Sequence, residues 1–410
     1  MGFRHTGSSA TDGRRLIPDH RTGITLATSD AVDYRDRYRG AMIGTAVGDA
    51  LGRPAEGLSP RNIQEAYGYL ADFVPSRRSA GRPAGTLTDD TEMALCMALS
   101  FVECAGPDPE DLANRFRAWG RVGRGMGSAT RAACRRMSDG REWYETGSES
   151  AGNGAAMRAA PIGLLHPTDL DALRETSAVT AVITHDDPTA VASTVVVAYT
   201  VAHLLHTPTS AFNADVLLDG IDAAMVGVED PAVPERRDES STTALLSRIH
   251  DVFEMRGRPI AETFALTHNG AFVLESLPAA LGAFLASPED PEATITAAVN
   301  GGYDADTVGA MAGAFAGAYH GESGFPKRWV NDIEFRTGLE GVADELLALA
   351  EMGPPPTWSE SPAPNEYAPF IRNGKRWITQ THADAALRQP DEAYDIRVMP
   401  HPAAAQSLVQ

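Results

Sequence analysis

The chain has 410 residues, of which 43% are hydrophobic and 22% are charged, so it can bury a sizeable core and is not a disordered protein. Acidic residues outnumber Lys and Arg by 55 to 35, and the net charge of −20 argues against a broad nucleic-acid-binding surface. The three cysteines lack metal-binding spacing, no signal-peptide pattern is present, and the most apolar run, 191–205, is too short to span a membrane. We therefore expect a cytoplasmic protein without membrane attachment.

Composition divides the chain into three parts. Residues 1–33 are rich in Gly, Ser, Thr, Asp and Arg without apolar periodicity, which predicts a flexible N-terminal arm. Helical patterns fill 34–352, interrupted at 206–262 by a variable connection that is predicted to carry one or two surface helices. Residues 353–410 form a Pro-rich extension, in which only 370–381 is extended enough for a short strand or hairpin. Nothing in the chain alternates as βαβ units or repeats at a solenoid period.

Two predicted helices carry glycine at every fourth position. The first begins near Tyr34 and the second near Val308, and their glycines are Gly40, Gly44, Gly48 and Gly52, and Gly309, Gly313, Gly317 and Gly321. A glycine in a helix interior costs roughly 0.5–1 kcal/mol relative to alanine, so close packing must offset the loss. The two helices are therefore predicted to be neighbours. Asp49 and Glu56 lie at the end of the first helix and just beyond it, where each alone is more often a solvated acid.

Oxygen-bearing side chains crowd the starts of two predicted helices. One cluster is TDDT at 88–91, and the other comprises Asp304, Asp306 and Thr307 before the second glycine stripe. A single Asp in such a place is an ordinary N-cap. Two clusters exceed what capping needs, and their oxygens suit a hard cation such as Mg²⁺, Mn²⁺ or Ca²⁺. The sequence therefore predicts one metal site shared by both clusters.

Two further polar segments lie between these clusters. Gly152, Asn153 and Gly154 allow a ligand to approach the backbone, with Arg158 predicted on the following helix. Such a loop is a weak anion-binding signal, and an ordinary turn explains it equally well. His185 stands in a THDDP segment before a long apolar helix, where a lone histidine is usually solvated or a local hydrogen-bond partner.

Five blocks, in this order, resemble the ADP-ribosylglycohydrolase family: GAMIGTAVGDALG with Glu56, TLTDDTEMA, GNGAAMRAAPIGLL, ITHDDPTAV and NGGYDADTVGAMAGAFAGAYHG. The resemblance covers about 38–329. It implies a compact, single-domain, all-α fold with a dinuclear Mg²⁺ centre, for which Mn²⁺ is the alternative metal. In one departure, Tyr303 stands where the family usually has the second of two glycines before Asp-x-Asp-Thr.

The resemblance also implies roles for individual residues. The metal ligands would be Thr88, Asp89, Asp90, Asp304, Asp306 and Thr307, with Asp306 bridging. ADP-ribose would be bound by Gly152, Asn153, Gly154, Met157, His185 and Tyr303. Glu56 matches an acidic residue that gates or joins the centre, and the catalytic proton is assigned to Asp89, Asp90 or Glu56 without a choice among them.

The function implied by the resemblance is metal-dependent removal of ADP-ribose from a protein side chain, first of all arginine, which reverses mono-ADP-ribosylation. The expected partners are an ADP-ribosylated protein and an ADP-ribosyltransferase, which the N-terminal arm would contact. The alternatives are hydrolysis of a small ADP-ribosyl compound or of ADP-ribosylated nucleic acid, and an immunity-type protein that neutralises a transferase toxin. The intact acidic set favours an enzyme, because a pure binder needs no metal ligands.

Overall fold

A computed structural model describes residues 32–76, 82–226, 228 and 242–351. Within these ranges the chain forms sixteen α-helices and no β-strand, which confirms the all-α prediction. Strand-like pairing there is limited to two isolated bridges, one from Ser148 to His185 and one from Gly152 to Phe272. The N-terminal arm up to residue 31, and the C-terminal extension with its predicted hairpin, lie outside the described residues.

The helices follow one another along the chain with the bounds α1 Tyr34–Gly52, α2 Pro60–Tyr67, α3 Asp89–Glu103, α4 Pro109–Trp119, α5 Ser128–Ser138, α6 Ala160–Leu165, α7 Leu170–Val182, α8 Pro188–His206, α9 Ala214–Met225, α10 Thr242–Glu254, α11 Ile260–Thr267, α12 Val273–Ala286, α13 Pro291–Asn300, α14 Ala305–His320, α15 Lys327–Asp332 and α16 Arg336–Glu351. Single 3₁₀ turns lie at Trp143–Glu145 and Glu322–Gly324.

The two glycine-striped helices, α1 and α14, pack against each other at the centre of the core. A β-carbon placed on Gly44 would collide with the carbonyl oxygen of Gly313, and one placed on Gly313 would collide with that of Gly44. Gly40 meets Gly317 in the same way, so the helices run antiparallel. The predicted neighbourhood of the two stripes is therefore confirmed, and the close approach explains why these helices contain glycine.

Several helix predictions need correction. Helices α2, α7 and α13 were not predicted, and residues 261–286, whose sequence pattern is helical throughout, form two helices, α11 and α12. His268 and Asn269 separate these two helices because both adopt positive φ, 67° and 53°, which a right-handed helix cannot contain. Arg158 does not lie on a helix as expected, since α6 begins only at Ala160.

The described helices of the region 206–262 bury their apolar faces. Leu217 and Ile221 on α9, and Leu245 and Ile249 on α10, are all 0% exposed. Helix α9 packs on α8 and helix α10 on α12, so these two helices close one side of the core. Helix α8 is long and apolar enough to cross a membrane, but 83% of its most apolar window is buried among the other helices.

We expect the substitution Gly313→Ala to destabilise the fold, because its β-carbon would collide with backbone that cannot move without separating α1 from α14. Overpacking of this kind lowers the free energy of unfolding by about 1–3 kcal/mol. The matched control is Gly341→Ala on α16, where no atom lies within 4 Å of the added β-carbon. That change should raise the free energy of unfolding by about 0.5–1 kcal/mol. Urea denaturation followed by circular dichroism measures both, and equal effects would contradict the packing described here.

Candidate active site

Asp49, near the end of α1, ties that helix to the start of α3. Its carboxylate is 0% exposed. One oxygen accepts the Thr88 hydroxyl at 2.7 Å, and the other accepts the Thr88 amide at 2.9 Å, the Thr91 hydroxyl at 2.6 Å and the Thr91 amide at 3.3 Å. The Thr88 hydroxyl also lies 3.0 Å from Asp90 Oδ2. Asp49 therefore orients the oxygen-rich start of α3.

Asp49 is a site residue that the sequence patterns did not predict. In the sequence, a single acid after a glycine looks the same whether it is solvated or buried. Its hydrogen-bond partners, Thr88 and Thr91, lie about forty positions later. The available signal was that Gly48 and Gly52 force this end of α1 into the core, where a charged group needs partners.

Neither acidic helix start serves as an ordinary cap. Thr88 and Asp304 occupy the N-cap positions of α3 and α14, yet neither side chain makes a capping hydrogen bond. Asp304 Oδ2 instead accepts the Asn153 side-chain amide at 2.5 Å. By contrast, Asp187 of the THDDP segment caps α8 through the amides of Thr189 and Ala190, at 2.8 and 3.3 Å. The N-cap side chains of the first two clusters therefore hydrogen-bond other parts of the site and do not cap their own helices.

Five buried carboxyl groups surround this centre, and burial is the main cause that raises the pKa of each: Asp49, Asp89, Asp90, Asp304 and Asp306. Burial, with the nearby charge of Asp49, raises the pKa of Asp89 to about 7. Burial, with the nearby charge of Asp90, also raises the pKa of Asp306. Asp90 Oδ1 is buried without a hydrogen-bond partner, so the cluster holds more acceptors and negative charge than the surrounding protein balances.

This donor set fits a hard divalent cation. Carboxylate and hydroxyl oxygens are the ligands that such ions prefer, and Asp90 offers an unpaired oxygen. In the described part of the chain no three Asp, Glu, His or Cys side chains already stand in a metal-ligating arrangement, so cations would have to draw the carboxylates together. The guanidinium of Arg53 lies at the edge of the cluster, where it pairs with Glu56 and lies 3.5 Å from Asp306 Oδ2.

The glycine loop and His185 come together beside the acidic cluster. A β-carbon on Gly154 would lie 2.6 Å from His185 Cε1, so the loop packs directly on the imidazole. Burial and the neighbouring Arg158 lower the pKa of His185 to about 3, which keeps the ring neutral. His185 Nδ1 and Arg158 both hydrogen-bond the hydroxyl of Thr184, each at 2.8 Å. The side chain of Met157 is 4% exposed and belongs to the core.

Tyr303 shows how the departure from two consecutive glycines is accommodated. Its φ is 59°, in the left-handed region that favours glycine, and its side chain is 48% exposed. Its amide donates to Leu58 O at 2.7 Å, and its carbonyl accepts the Gly57 amide at 2.6 Å. The turn therefore keeps a glycine-type backbone and holds the Glu56 loop next to Asp304.

A cleft of about 690 Å³ opens beside this centre. Arg53 and Glu56 line its inner end, and its walls come from the end of α4, the following loop and one face of α5. Gly125 in that loop packs against the carboxylate of Asp89. The cleft therefore leads from solvent to the edge of the acidic cluster.

We expect Thr91→Val to lower the free energy of unfolding by about 1.5–3 kcal/mol, because it removes a hydrogen bond to the buried Asp49 carboxylate without changing the side-chain shape. The control is Thr45→Val, which is equally buried but donates only to the carbonyl of Ala41 within α1. We expect Thr45→Val to lower the free energy of unfolding by less than about 1 kcal/mol. Equal losses in urea denaturation would show that Asp49 does not organise the start of α3.

Comparison with known proteins places this arrangement in a family. The model of the ADP-ribosylglycohydrolase family matches residues 30–356. A Rhodospirillum rubrum protein named ADP-ribosyl-[dinitrogen reductase] glycohydrolase is 28% identical over 322 residues, which cover 77% of this chain and 97% of that protein. A Pseudomonas putida protein named ADP-ribosylarginine hydrolase Tri1 is 30% identical over 336 residues, which cover 80% and 81% respectively.

A solved structure supports the same assignment. A chain described as an ADP-ribosylglycohydrolase-related protein complex superposes with a TM-score of 0.60 at 32% identity, covering 78% of this chain and 99% of its own. The chain therefore belongs to the ADP-ribosylglycohydrolase family and is a hydrolase of ADP-ribosyl linkages.

Proposed function

We propose that the chain removes ADP-ribose from a modified protein side chain, arginine in the first place, with divalent cations held between the starts of α3 and α14. The observation that carries the proposal is the unbalanced carboxylate cluster, in which Asp90 Oδ1 is buried without a partner and neither helix start uses its side chain as a cap. Purely structural roles would give most of these acids capping or basic partners, whereas among the described residues Arg53 beside Asp306 is the one cation paired with them.

The residues that would hold two Mg²⁺ ions, or Mn²⁺, are Thr88, Asp89, Asp90, Asp304, Asp306 and Thr307. Bound there, such cations supply positive charge that orients the ribose hydroxyls and stabilises a negatively charged oxygen. Asp49 and Asn153 would act as positioning residues, because each holds a proposed ligand through a hydrogen bond. Gly152 and Gly154 pack on the neutral ring of His185. Because glycine has no side chain, the ADP-ribose could approach their backbone closely.

The chemistry needs a base near the anomeric carbon of the ribose. A water oxygen bonds to that carbon, the bond to the protein side chain breaks, and the bonding electron pair leaves with the side chain. The proton of the water passes to a carboxylate. Among Asp89, Asp90 and Glu56 we assign this proton to Glu56, since it alone lines the cleft, while both aspartates are buried.

The name of one relative, ADP-ribosylarginine hydrolase Tri1, supports arginine as the modified residue. The name of another, ADP-ribosyl-[dinitrogen reductase] glycohydrolase, supports a protein as the substrate. The experiment that tests the substrate is release of ADP-ribose from two peptides of one sequence, modified on arginine or on serine. We expect faster release from the arginine peptide. Faster release from the serine peptide, or from a modified oligonucleotide, would replace arginine by that substrate. Binding of an ADP-ribosyltransferase by the arm stays a prediction, because the arm lies outside the described residues.

We expect Asp306→Asn to lower hydrolysis at least about a hundredfold, because the change removes a charged ligand from the proposed centre. The control is Asp290→Asn. Asp290 caps the start of α13 and is not a proposed metal ligand, and asparagine caps a helix equally well. A second readout is thermal stability. Mg²⁺ at about a hundred times its dissociation constant should stabilise the wild type by about 2.7 kcal/mol.

The stabilisation by Mg²⁺ should disappear in Asp306→Asn and persist in Asp290→Asn, and EDTA should reverse it. Undiminished turnover in Asp306→Asn, or an equal rise in melting temperature with Mg²⁺, would contradict the proposed centre.

A further inference from the structure

Arginines line the cleft that leads to the acidic centre. Helix α5 contributes Arg131 and Arg135, which are one turn apart and share the face that borders the cleft. Arg117, from the last turn of α4, and Arg121, from the following loop, line the same cleft. Four cations, in addition to Arg53 at the inner end, therefore face one cleft in a protein whose net charge is −20.

These arginines differ from neighbouring ones that have structural partners. Arg115 is paired with Asp111 and Glu103, and Arg124 is paired with Glu92 and Glu334. Among the described residues, no carboxylate lies within 4.0 Å of the guanidinium of any of the four cleft arginines, Arg117, Arg121, Arg131 and Arg135. Arg131 donates one N–H to the Met126 carbonyl at 2.9 Å, and its remaining donors and the other three guanidinium groups keep their capacity to bind a carboxylate or phosphate from outside.

Two acidic side chains line the cleft as well, and both lie at its ends. Glu56 stands at the inner end, where it is paired with Arg53, and Asp139 follows the last residue of α5 at the other end. The rest of the lining consists of the four cleft arginines and of uncharged residues, namely glycines, Met126, Cys134 and Ser138. This part of the lining therefore presents positive charge alone to a bound segment.

We propose that the arginine-lined cleft binds an acidic protein segment that flanks the modified side chain. This inference rests on the proposed function, and it adds the sequence context of the substrate. The inner end of the cleft adjoins Asp89 through Gly125, so a substrate whose ADP-ribose lies at the acidic centre can extend its neighbouring residues along the cleft. Asp and Glu side chains there gain charge-assisted hydrogen bonds from the guanidinium groups.

A protein segment fits the observations better than a nucleic acid. The four cleft arginines share one cleft of about 690 Å³, whereas a polyanion would extend beyond it over a surface that belongs to a chain of net charge −20. A short acidic segment places its charge inside the cleft and avoids that repulsion.

The test compares two ADP-ribosyl-arginine peptides, one flanked by Asp and Glu and the other by Lys, in the wild type and in the triple variant Arg117→Gln, Arg121→Gln, Arg135→Gln. We expect the wild type to favour the acidic peptide about tenfold in kcat/KM, the triple variant to lose this preference, and added salt to weaken it. The matched control is Arg61→Gln, Arg256→Gln, Arg258→Gln, which removes the same charge outside the cleft and should keep the preference.

Free ADP-ribosyl-arginine, which has no flanking residues, distinguishes binding of the flanking segment from binding of the ADP-ribose itself. Its kcat/KM should be unchanged in the triple variant, and an equal loss on free ADP-ribosyl-arginine would overturn the proposal, because the arginines would then bind the ADP-ribose. Equal wild-type rates on both peptides, or a preference that persists in the triple variant, would also overturn it. Stronger competition by a single-stranded oligonucleotide than by an unmodified acidic peptide would replace the protein segment by nucleic acid.

Failure of the proposed function is distinguishable from failure of this inference. If no ADP-ribosyl compound is hydrolysed, fluorescence anisotropy with an unmodified, labelled acidic peptide still reports on the cleft. Binding by the wild type and by the control triple, with at least about fivefold weaker binding by the cleft triple, would support the inference. Equal binding by all three proteins would refute it.

Discussion

The backbone contact between α1 and α14 fixes the position of the active site. The contact runs antiparallel from Gly40 opposite Gly317 to Gly52, whose added β-carbon would meet the backbone of Ala305. The last turn of α1 is therefore pressed against the first turn of α14. Asp49 and Asp306 consequently share one buried region, although more than 250 residues separate them along the chain. A larger side chain anywhere in the contact would separate the two helices and the acids that they carry.

Helix starts are suitable places for such acids because their free amides and the helix dipole favour negative charge. In α3 and α14 this favourable field acts on side chains that make no capping hydrogen bond with their own helix. Their oxygens are held instead by residues from other elements, Thr88 by Asp49 and Asp304 by Asn153. These two hydrogen bonds fix the directions of the Thr88 and Asp304 side chains before any ligand arrives, which reduces the reorganisation that they require on binding.

The features that could be predicted from the sequence were those whose signal lies in residues close together along the chain. Glycine at every fourth position predicted the central contact, and paired acids before a helix predicted a shared centre. Asp49 was missed because its partners come from another helix. The arginine-lined cleft was missed because the residues that form its walls, such as Arg117 and Arg135, follow no sequence motif. Only the packing of α4 on α5 shows which arginines have no carboxylate as an ion-pair partner among the described residues.

The acidic centre and the arginine-lined cleft form two adjoining regions of opposite charge. Arg53 stands at their boundary, because its guanidinium pairs with Glu56 of the cleft and lies 3.5 Å from Asp306 of the centre. The Arg53 guanidinium therefore offsets part of the negative charge of the centre and pairs with one of the two acids that line the cleft. Its contact with both regions keeps the start of the cleft adjacent to the acidic centre, since Glu56 and Asp306 are held by the same side chain.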